Sequence, residues 1–162
     1  MILYHGTNQE IEKPYVKFSK NYLDFGKGFY LTTYKEQAEK WALRKAIRGS
    51  GEAVIHVYEL DGKVLENYKV LHFTEDNKEW LEFICNCRNG STEYMQYDVI
   101  MGSVADDDVF KTVDMYFKGI WEVERALQEL RYYKLNDQIC ITSQIVLDQC
   151  LKKIDVYKVV GK

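Results

Sequence analysis

Three short stretches carry side chains whose types and order could do chemistry together. The first is Leu3-Tyr4-His5-Gly6-Thr7. A histidine at a strand end, followed by glycine, leaves an imidazole edge and an open backbone facing a cleft. The second is Phe25-Gly26-Lys27-Gly28-Phe29-Tyr30, with its trailing helix. Two glycines around one lysine allow a tight turn with unusual backbone angles, and the aromatics suit a cleft that stacks planar rings. A Gly-rich turn alone is a weak signal for phosphate binding. The third is Asn136-Asp137-Gln138-Ile139-Cys140-Ile141. Read as a strand, it sets Gln138, Cys140 and Thr142 on one face and Asp137, Ile139 and Ile141 on the other. Gln138 is therefore the expected cleft residue, and a register shift of one would put Asp137 there instead.

These stretches need a scaffold. The 162 residues suit one domain, 1–162, with a core large enough to stand without staples. The net charge of −3 argues against a general nucleic-acid binder, because no excess of Lys and Arg exists to neutralise phosphates. Cys85-x-Cys87 lacks a matching second pair, and His5, His56 and His72 do not fall at zinc-site spacing, so no metal site is expected. No run approaches the ~18 apolar residues of a membrane helix. The first residues show no basic region followed by an apolar stretch. The expectation is a reduced, cytoplasmic protein with free thiols and no membrane partner.

The pattern gives strands at Ile2–His5, ended by Gly6, and at Phe29–Thr32. Thr33-x-x-Glu36 has the form of a capping box. It opens a helix with Tyr34, Ala38, Trp41 and Ala42 on one face, closed by Gly49 and Gly51. Ala53–Leu60 and Lys63–Phe73 read as strands joined through an Asp61-Gly62 hairpin. A helix over Glu75–Cys87 turns Trp80, Leu81, Ile84 and Cys87 inward. A strand at Tyr97–Met101 follows, then Asp106-Asp107-Asp108 as a helix start, with helices over Val109–Phe117 and Trp121–Tyr132. The chain ends with a strand at Gln138–Thr142, a helix at Ser143–Leu151 and a strand at Ile154–Val160. Helices and strands alternate without a βαβ rhythm, which makes the class α+β.

In the order of its three motifs the chain resembles the diphtheria-toxin and poly-ADP-ribose-polymerase class of ADP-ribosyltransferases, whose signature is His-Tyr-Glu on three separate strands. More narrowly, it is similar to small bacterial proteins of uncharacterised function that share this fold. The resemblance runs from first strand to last and is strongest in the first two motifs. It implies a split β-sheet with helices packed around a cleft for NAD, which serves as co-substrate. His5 would hydrogen-bond a ribose hydroxyl of NAD. The Gly6 backbone would grip the nicotinamide amide, with Thr7 in place of the family's usual serine. Gly28 would join the cofactor contacts, while Lys27 stays in solvent. Tyr30 would stack on the nicotinamide ring, and Trp41 falls where the family often has a second tyrosine. Trp41's spacing suits a core anchor equally well. A family serine one turn earlier aligns with Ala38, so one contact to the amide is lost.

Gln138 aligns with the family's catalytic glutamate. Breaking the nicotinamide bond builds positive charge on the ribose, which a carboxylate stabilises. A glutamine can hydrogen-bond a hydroxyl but supplies no charge. Chain elongation, which goes with the glutamate in the family, is therefore not expected. The leading expectation is a mono-ADP-ribosyltransferase acting on an unidentified acceptor: a protein, a nucleic acid or a small molecule. The alternative is a weak or inactive module that binds NAD, ADP-ribose or a partner. A third reading is a toxin neutralised by a partner protein encoded nearby. His56 and His72 are read as strand residues without catalytic duty.

Overall fold

The computed structural model describes residues 1–105, 109–131 and 135–160. Among these residues seven strands run β1 (Ile2–Thr7), β2 (Phe29–Leu31), β3 (Ala53–Leu60), β4 (Val70–His72), β5 (Val99–Gly102), β6 (Gln138–Ile141) and β7 (Leu151–Val159). The helices are α1 (Lys35–Gly49), α2 (Val64–Asn67), α3 (Lys78–Arg88), α4 (Val109–Phe117), α5 (Val123–Leu130) and α6 (Gln144–Cys150). The α+β class is therefore as expected.

The strands form two sheets. One is antiparallel, in the order β1-β3-β7; the other runs β2-β6-β5-β4, with only β4 and β5 parallel. Among the described residues a single bridge joins them, where Tyr4 and Thr32 exchange backbone hydrogen bonds of 2.8 and 3.0 Å. β1 of one sheet thus lies beside β2 of the other.

Period-two alternation explains how the layers hold together. β3 is the centre of its sheet and is buried on both faces. Ala53, Ile55 and Val57 pack with Ala38 and Ala42 of α1. Tyr58 and Leu60 turn to the opposite face and join Leu3, Phe29, Leu31, Ile139 and Ile141 in a core shared by the two sheets. On the far side of the larger sheet, Ile100 and Cys140 pack against Trp80, Leu81 and Ile84 of α3 and Ala126 and Leu130 of α5. β6 divides its residues as the alternation requires: Ile139 and Ile141 enter one core and Cys140 the other.

Several local expectations give way to tertiary demands. β1 does not stop at Gly6 but runs on to Thr7, because Gly6 and Thr7 pair with Ile55 and Val54. The Asp61-Gly62 hairpin does not form. Both edges of β3 are already taken, by β1 and β7, so a returning strand has nothing to pair with. Instead the Asp61 side chain accepts from Lys63 N at 3.0 Å and the chain turns into α2, burying Val64. β4 then joins the other sheet, shortened to Val70–His72.

The Thr33–Glu36 capping box is also replaced. Tyr34 occupies the N-cap of α1, and Thr33 is held by Asp137 instead. α3 starts later than expected, where Asn77 caps it by accepting from Trp80 N at 3.1 Å. The Asp106-Asp107-Asp108 run and Tyr132 lie outside the described residues. Among the described residues no helix is long and apolar enough to cross a membrane.

Candidate functional site

Where β1 and β2 meet, a cleft of about 820 Å³ opens. Its walls come from β1 (His5, Thr7), the segment 8–28, β2 (Phe29, Tyr30), α1 (Trp41, Lys45), the last residue of α3 (Arg88) and the first of β6 (Gln138). The fold thus gathers His5, Thr7, Gly28, Tyr30, Trp41 and Gln138 around one space. Gly6 is the exception among the expected site residues and is not a lining residue of this cleft. A side chain there would place its Cβ 2.1 Å from the Ala38 carbonyl oxygen, so Gly6 is what lets α1 lie this close to β1. Its own carbonyl already accepts from Lys45 Nζ at 2.7 Å.

His5 sits between two fixed partners. Its Nδ1 donates to the Tyr30 carbonyl at 2.6 Å, and its ring stacks on Phe29 with centroids 4.4 Å apart. Donation from Nδ1 leaves Nε2 as the lone-pair nitrogen. Burial, reinforced by the Lys45 charge and opposed by the Tyr30 carbonyl, lowers the imidazole from 6.5 to about 3. The ring is a neutral acceptor throughout the physiological range. Lys45 is exposed as a residue, but its amine turns in; burial of that group, with the Lys20 charge, lowers its pKa too.

Tyr30 is pinned at its hydroxyl, which donates to the Gly26 carbonyl at 2.7 Å and accepts from Phe25 N at 3.0 Å. Burial raises its pKa well above the phenol's ordinary value. The tight turn beneath it is real: Gly26 has φ +75, and any side chain there would strike the Tyr94 ring. Gly28 is equally closed, with Cys140 Sγ only 2.3 Å from where a Cβ would stand, and its N–H donates to Ser19 Oγ at 3.0 Å.

Gln138, 3% exposed, lies on the floor. Its Nε2 donates both to Asp24 Oδ2 and to the Ser103 carbonyl, each at 3.0 Å. With both amide hydrogens committed, the side-chain oxygen is the group left to meet a ligand. Asp137 takes no part. It accepts from Thr32 Oγ1 at 2.6 Å and from Thr33 N at 2.9 Å, and its backbone meets Gln37, tying β6 to the start of α1.

Sequence reasoning missed two residues of this floor. Asp24 is 5% exposed. Its Oδ1 accepts from Arg88 Nη2 at 2.6 Å and Nε at 2.8 Å, and its Oδ2 accepts from Ala105 N as well as Gln138. The signal for Asp24 was its place directly before the glycine turn. Arg88 carried none, because it stands at the end of a helix far along the chain. Lys45 was readable: it follows Trp41 by one helical turn on α1.

Trp41 is half-buried and also walls a second, smaller pocket of about 410 Å³ with Tyr34, Lys40 and Arg44. Among the described residues no group of three or more His, Cys, Asp or Glu could hold a metal. Burial pushes the Cys85 and Cys87 thiols up to about 12 and raises Cys140 further, which leaves them unreactive near neutrality.

The fold and cleft define an α+β protein with a half-enclosed, mixed aromatic and polar site between two sheets. Over residues 1–152 the chain matches a family described as "Protein of unknown function (DUF3990)", and it belongs to that family. No curated protein and no solved structure matches it.

Proposed function

We propose that the chain is a mono-ADP-ribosyltransferase that cleaves nicotinamide from NAD and passes ADP-ribose to a single acceptor. The observation that carries this reading is the convergence of His5, Tyr30 and Gln138, from three separate strands, on one cleft. The division into two sheets that meet at β1 and β2 is compatible with the split sheet of that superfamily. The lining supports an anionic, planar ligand. Lys20, Lys45 and Arg48 stand among its walls although the chain as a whole is acidic, and Phe29, Tyr30 and Trp41 contribute rings. The volume lies within the ~300–1,000 Å³ usual for ligand pockets.

On this reading His5 Nε2 accepts from a ribose hydroxyl, and Tyr30 with Trp41 holds the nicotinamide ring. Each ring contact with a cationic heterocycle is worth roughly 0.5–2 kcal/mol. The bond from ribose C1′ to nicotinamide nitrogen breaks, and its electron pair leaves with nicotinamide. An acceptor lone pair closes on C1′ and the acceptor gives up its proton to solvent. Gln138 Oε1 steadies the ribose by a neutral hydrogen bond. Lacking a charge-assisted partner, it forgoes about 1.5–3 kcal/mol of stabilisation, or roughly one to two orders of magnitude in rate.

The test is nicotinamide release from NAD by the purified protein, followed over hours beside a Tyr30→Ala control. Release that falls with Tyr30→Ala supports the enzyme; release unaffected by it overturns the assignment of the ring site. A second reading, a binding module for NAD or ADP-ribose, is favoured by one observation. The buried carboxylate beside Gln138 is already neutralised by Arg88. It predicts that NAD protects the fold against heat while no nicotinamide appears.

A further inference from the structure

Among the described residues β1 and β2 touch at one bridge and then part. At that bridge the Tyr4 N–H and C=O both face Thr32. Backbone groups of an antiparallel strand alternate between its two edges, so the Gly6 N–H and C=O face the same way. Continuing the register past the bridge would pair Gly6 with Tyr30, but no such pair forms. The Tyr30 carbonyl accepts from His5 Nδ1 at 2.6 Å, and the Gly6 carbonyl accepts from Lys45 Nζ at 2.7 Å. Two side chains thus take the places of strand partners at the mouth of the gap.

Lys45 is poorly satisfied there. Its amine turns inward, and burial together with the Lys20 charge lowers its pKa. Among the described residues no carboxylate forms an ion pair with it. A cation taken out of water and given a neutral carbonyl alone has not recovered its hydration. The titratable and charged groups that share the cleft do not supply an anion. His5 is a neutral acceptor, Lys20 and Arg48 are cations, and Asp24 is held by Arg88. Arg48 follows Lys45 by three positions on α1, so the two stand as neighbours on the helix surface. The lysine stem is flexible enough to turn its ammonium from one partner to another.

We propose that Lys45 is a specificity-determining latch: a phosphate-bearing ligand draws its ammonium off the Gly6 carbonyl and opens that carbonyl to a carboxamide, whereas free nicotinamide meets a carbonyl already taken. The proposal rests on the NAD reading above and adds a condition on what enters the site. A strand edge that offers one N–H and one C=O side by side matches a primary carboxamide, which carries an acceptor and a donor in the same plane. A phosphate oxygen is the stronger partner for an ammonium, because the hydrogen bond joins opposite charges. A ligand with both groups exchanges one contact for two: the phosphate takes the ammonium and the carboxamide takes the freed carbonyl. The latch also accounts for Gly6 being absent from the cleft walls while its neighbours His5 and Thr7 line them. Its consequence is weak product inhibition, since released nicotinamide has no anion with which to reopen the site.

The experiment is calorimetric titration of the full chain, wild type and Lys45→Met, with NAD, nicotinamide mononucleotide and nicotinamide riboside. The last two differ by one phosphate. Lys45→Met frees the Gly6 carbonyl and is expected to bind the riboside about 2- to 10-fold more tightly than wild type, the effect of one neutral hydrogen bond gained. The same variant is expected to bind the mononucleotide about tenfold more weakly, through loss of a charge-assisted contact. A second arm needs no variant: saturating inorganic pyrophosphate is expected to tighten the binding of free nicotinamide to the wild type by about 2- to 10-fold, because the two ligands are coupled through Lys45. Riboside affinity unchanged or weakened in Lys45→Met would overturn the latch and leave Lys45 a plain phosphate contact, with the NAD reading intact as long as the wild type binds NAD. Nicotinamide affinity indifferent to pyrophosphate would overturn the latch in the same way. A wild type that binds neither NAD nor the mononucleotide overturns the NAD reading and the latch with it.

Discussion

Replacing Gln138 by glutamate is the obvious attempt to restore the carboxylate that the resemblance predicts, and the structure says what it would do. The amide nitrogen gives two hydrogen bonds of 3.0 Å, to Asp24 Oδ2 and to the Ser103 carbonyl. A carboxylate at this position loses both and sets negative oxygen against negative oxygen, where the native side chain is only 3% exposed. Losing a hydrogen bond to a charged group costs roughly 1.5–3 kcal/mol, and like charges ~4 Å apart repel by about 4 kcal/mol at an effective dielectric of ~20. Arg88 offsets part of this. We expect Gln138→Glu to lose about 3–5 kcal/mol of stability in urea at about pH 8. The sign with pH follows from linkage. The new carboxyl's folded pKa is raised above its unfolded value, so the folded state binds more protons and the deficit grows as pH rises. It shrinks at about pH 5, where the new carboxyl takes up a proton. Adding Asp24→Asn restores a donor toward the new carboxylate and lets Arg88 face the relocated charge. The double variant is therefore expected to be more stable than the sum of the single losses by about 2 kcal/mol. A Gln138→Glu variant as stable as wild type at about pH 8, or a strictly additive cycle, would refute the geometry.

Other perturbations test the walls. Gly6→Ala places a methyl 2.1 Å from the Ala38 carbonyl and 3.0 Å from Ala42 N, both backbone, so α1 must shift. Its urea midpoint should fall by the equivalent of about 3 kcal/mol, the upper end of overpacking costs, and an unchanged midpoint would show that the helix is not so close. His5, lowered from 6.5 to about 3, contributes stability that is full above pH 6.5 and is lost as pH falls toward 3. His56 is also lowered, so the readout is the difference between proteins: wild type should lose more stability than His5→Asn over that window. Parallel acid profiles for the two would remove His5 as the source.

Much of this cleft was legible because its residues sit on strands, where alternation alone fixes which way a side chain points. Gln138 rather than Asp137 facing the cleft follows from Ile139 and Ile141 needing the core between the sheets. The inward faces of α1 and α3 follow from helical periodicity in the same way. What escaped depended on pairing at long range. Asp61-Gly62 carries a hairpin signature that fails only because β1 and β7 already flank β3. Thr33 and Glu36 satisfy the capping-box spacing, yet Asp137, over a hundred residues away, takes Thr33 in place of Glu36. Arg88 reaches Asp24 across 64 positions, and no local pattern marks either as half of an ion pair.

Asp24 changes how the missing glutamate is to be understood. A neutral residue at the Gln138 position does not mean a cleft floor without negative charge, because the Asp24 carboxylate lies one hydrogen bond behind the Gln138 amide. That carboxylate is held by Arg88 through two nitrogens, and so the floor is nearly neutral as a unit. On the proposed reading, a neutral floor beneath a rim carrying Lys20, Lys45 and Arg48 suits a pyrophosphate without a competing anion. On the same reading it would offer a cationic ribose the oriented amide oxygen of Gln138, polarised by the carboxylate behind it. Hydrogen bonds polarise one another along such a chain by about 10–30% per bond, far less than a full charge in contact would supply. On the proposed reading the site therefore favours binding over turnover. Nicotinamide release should be slow relative to the affinity for NAD, and weakening the Arg88 clamp while keeping Asp24 is the change expected to raise the rate.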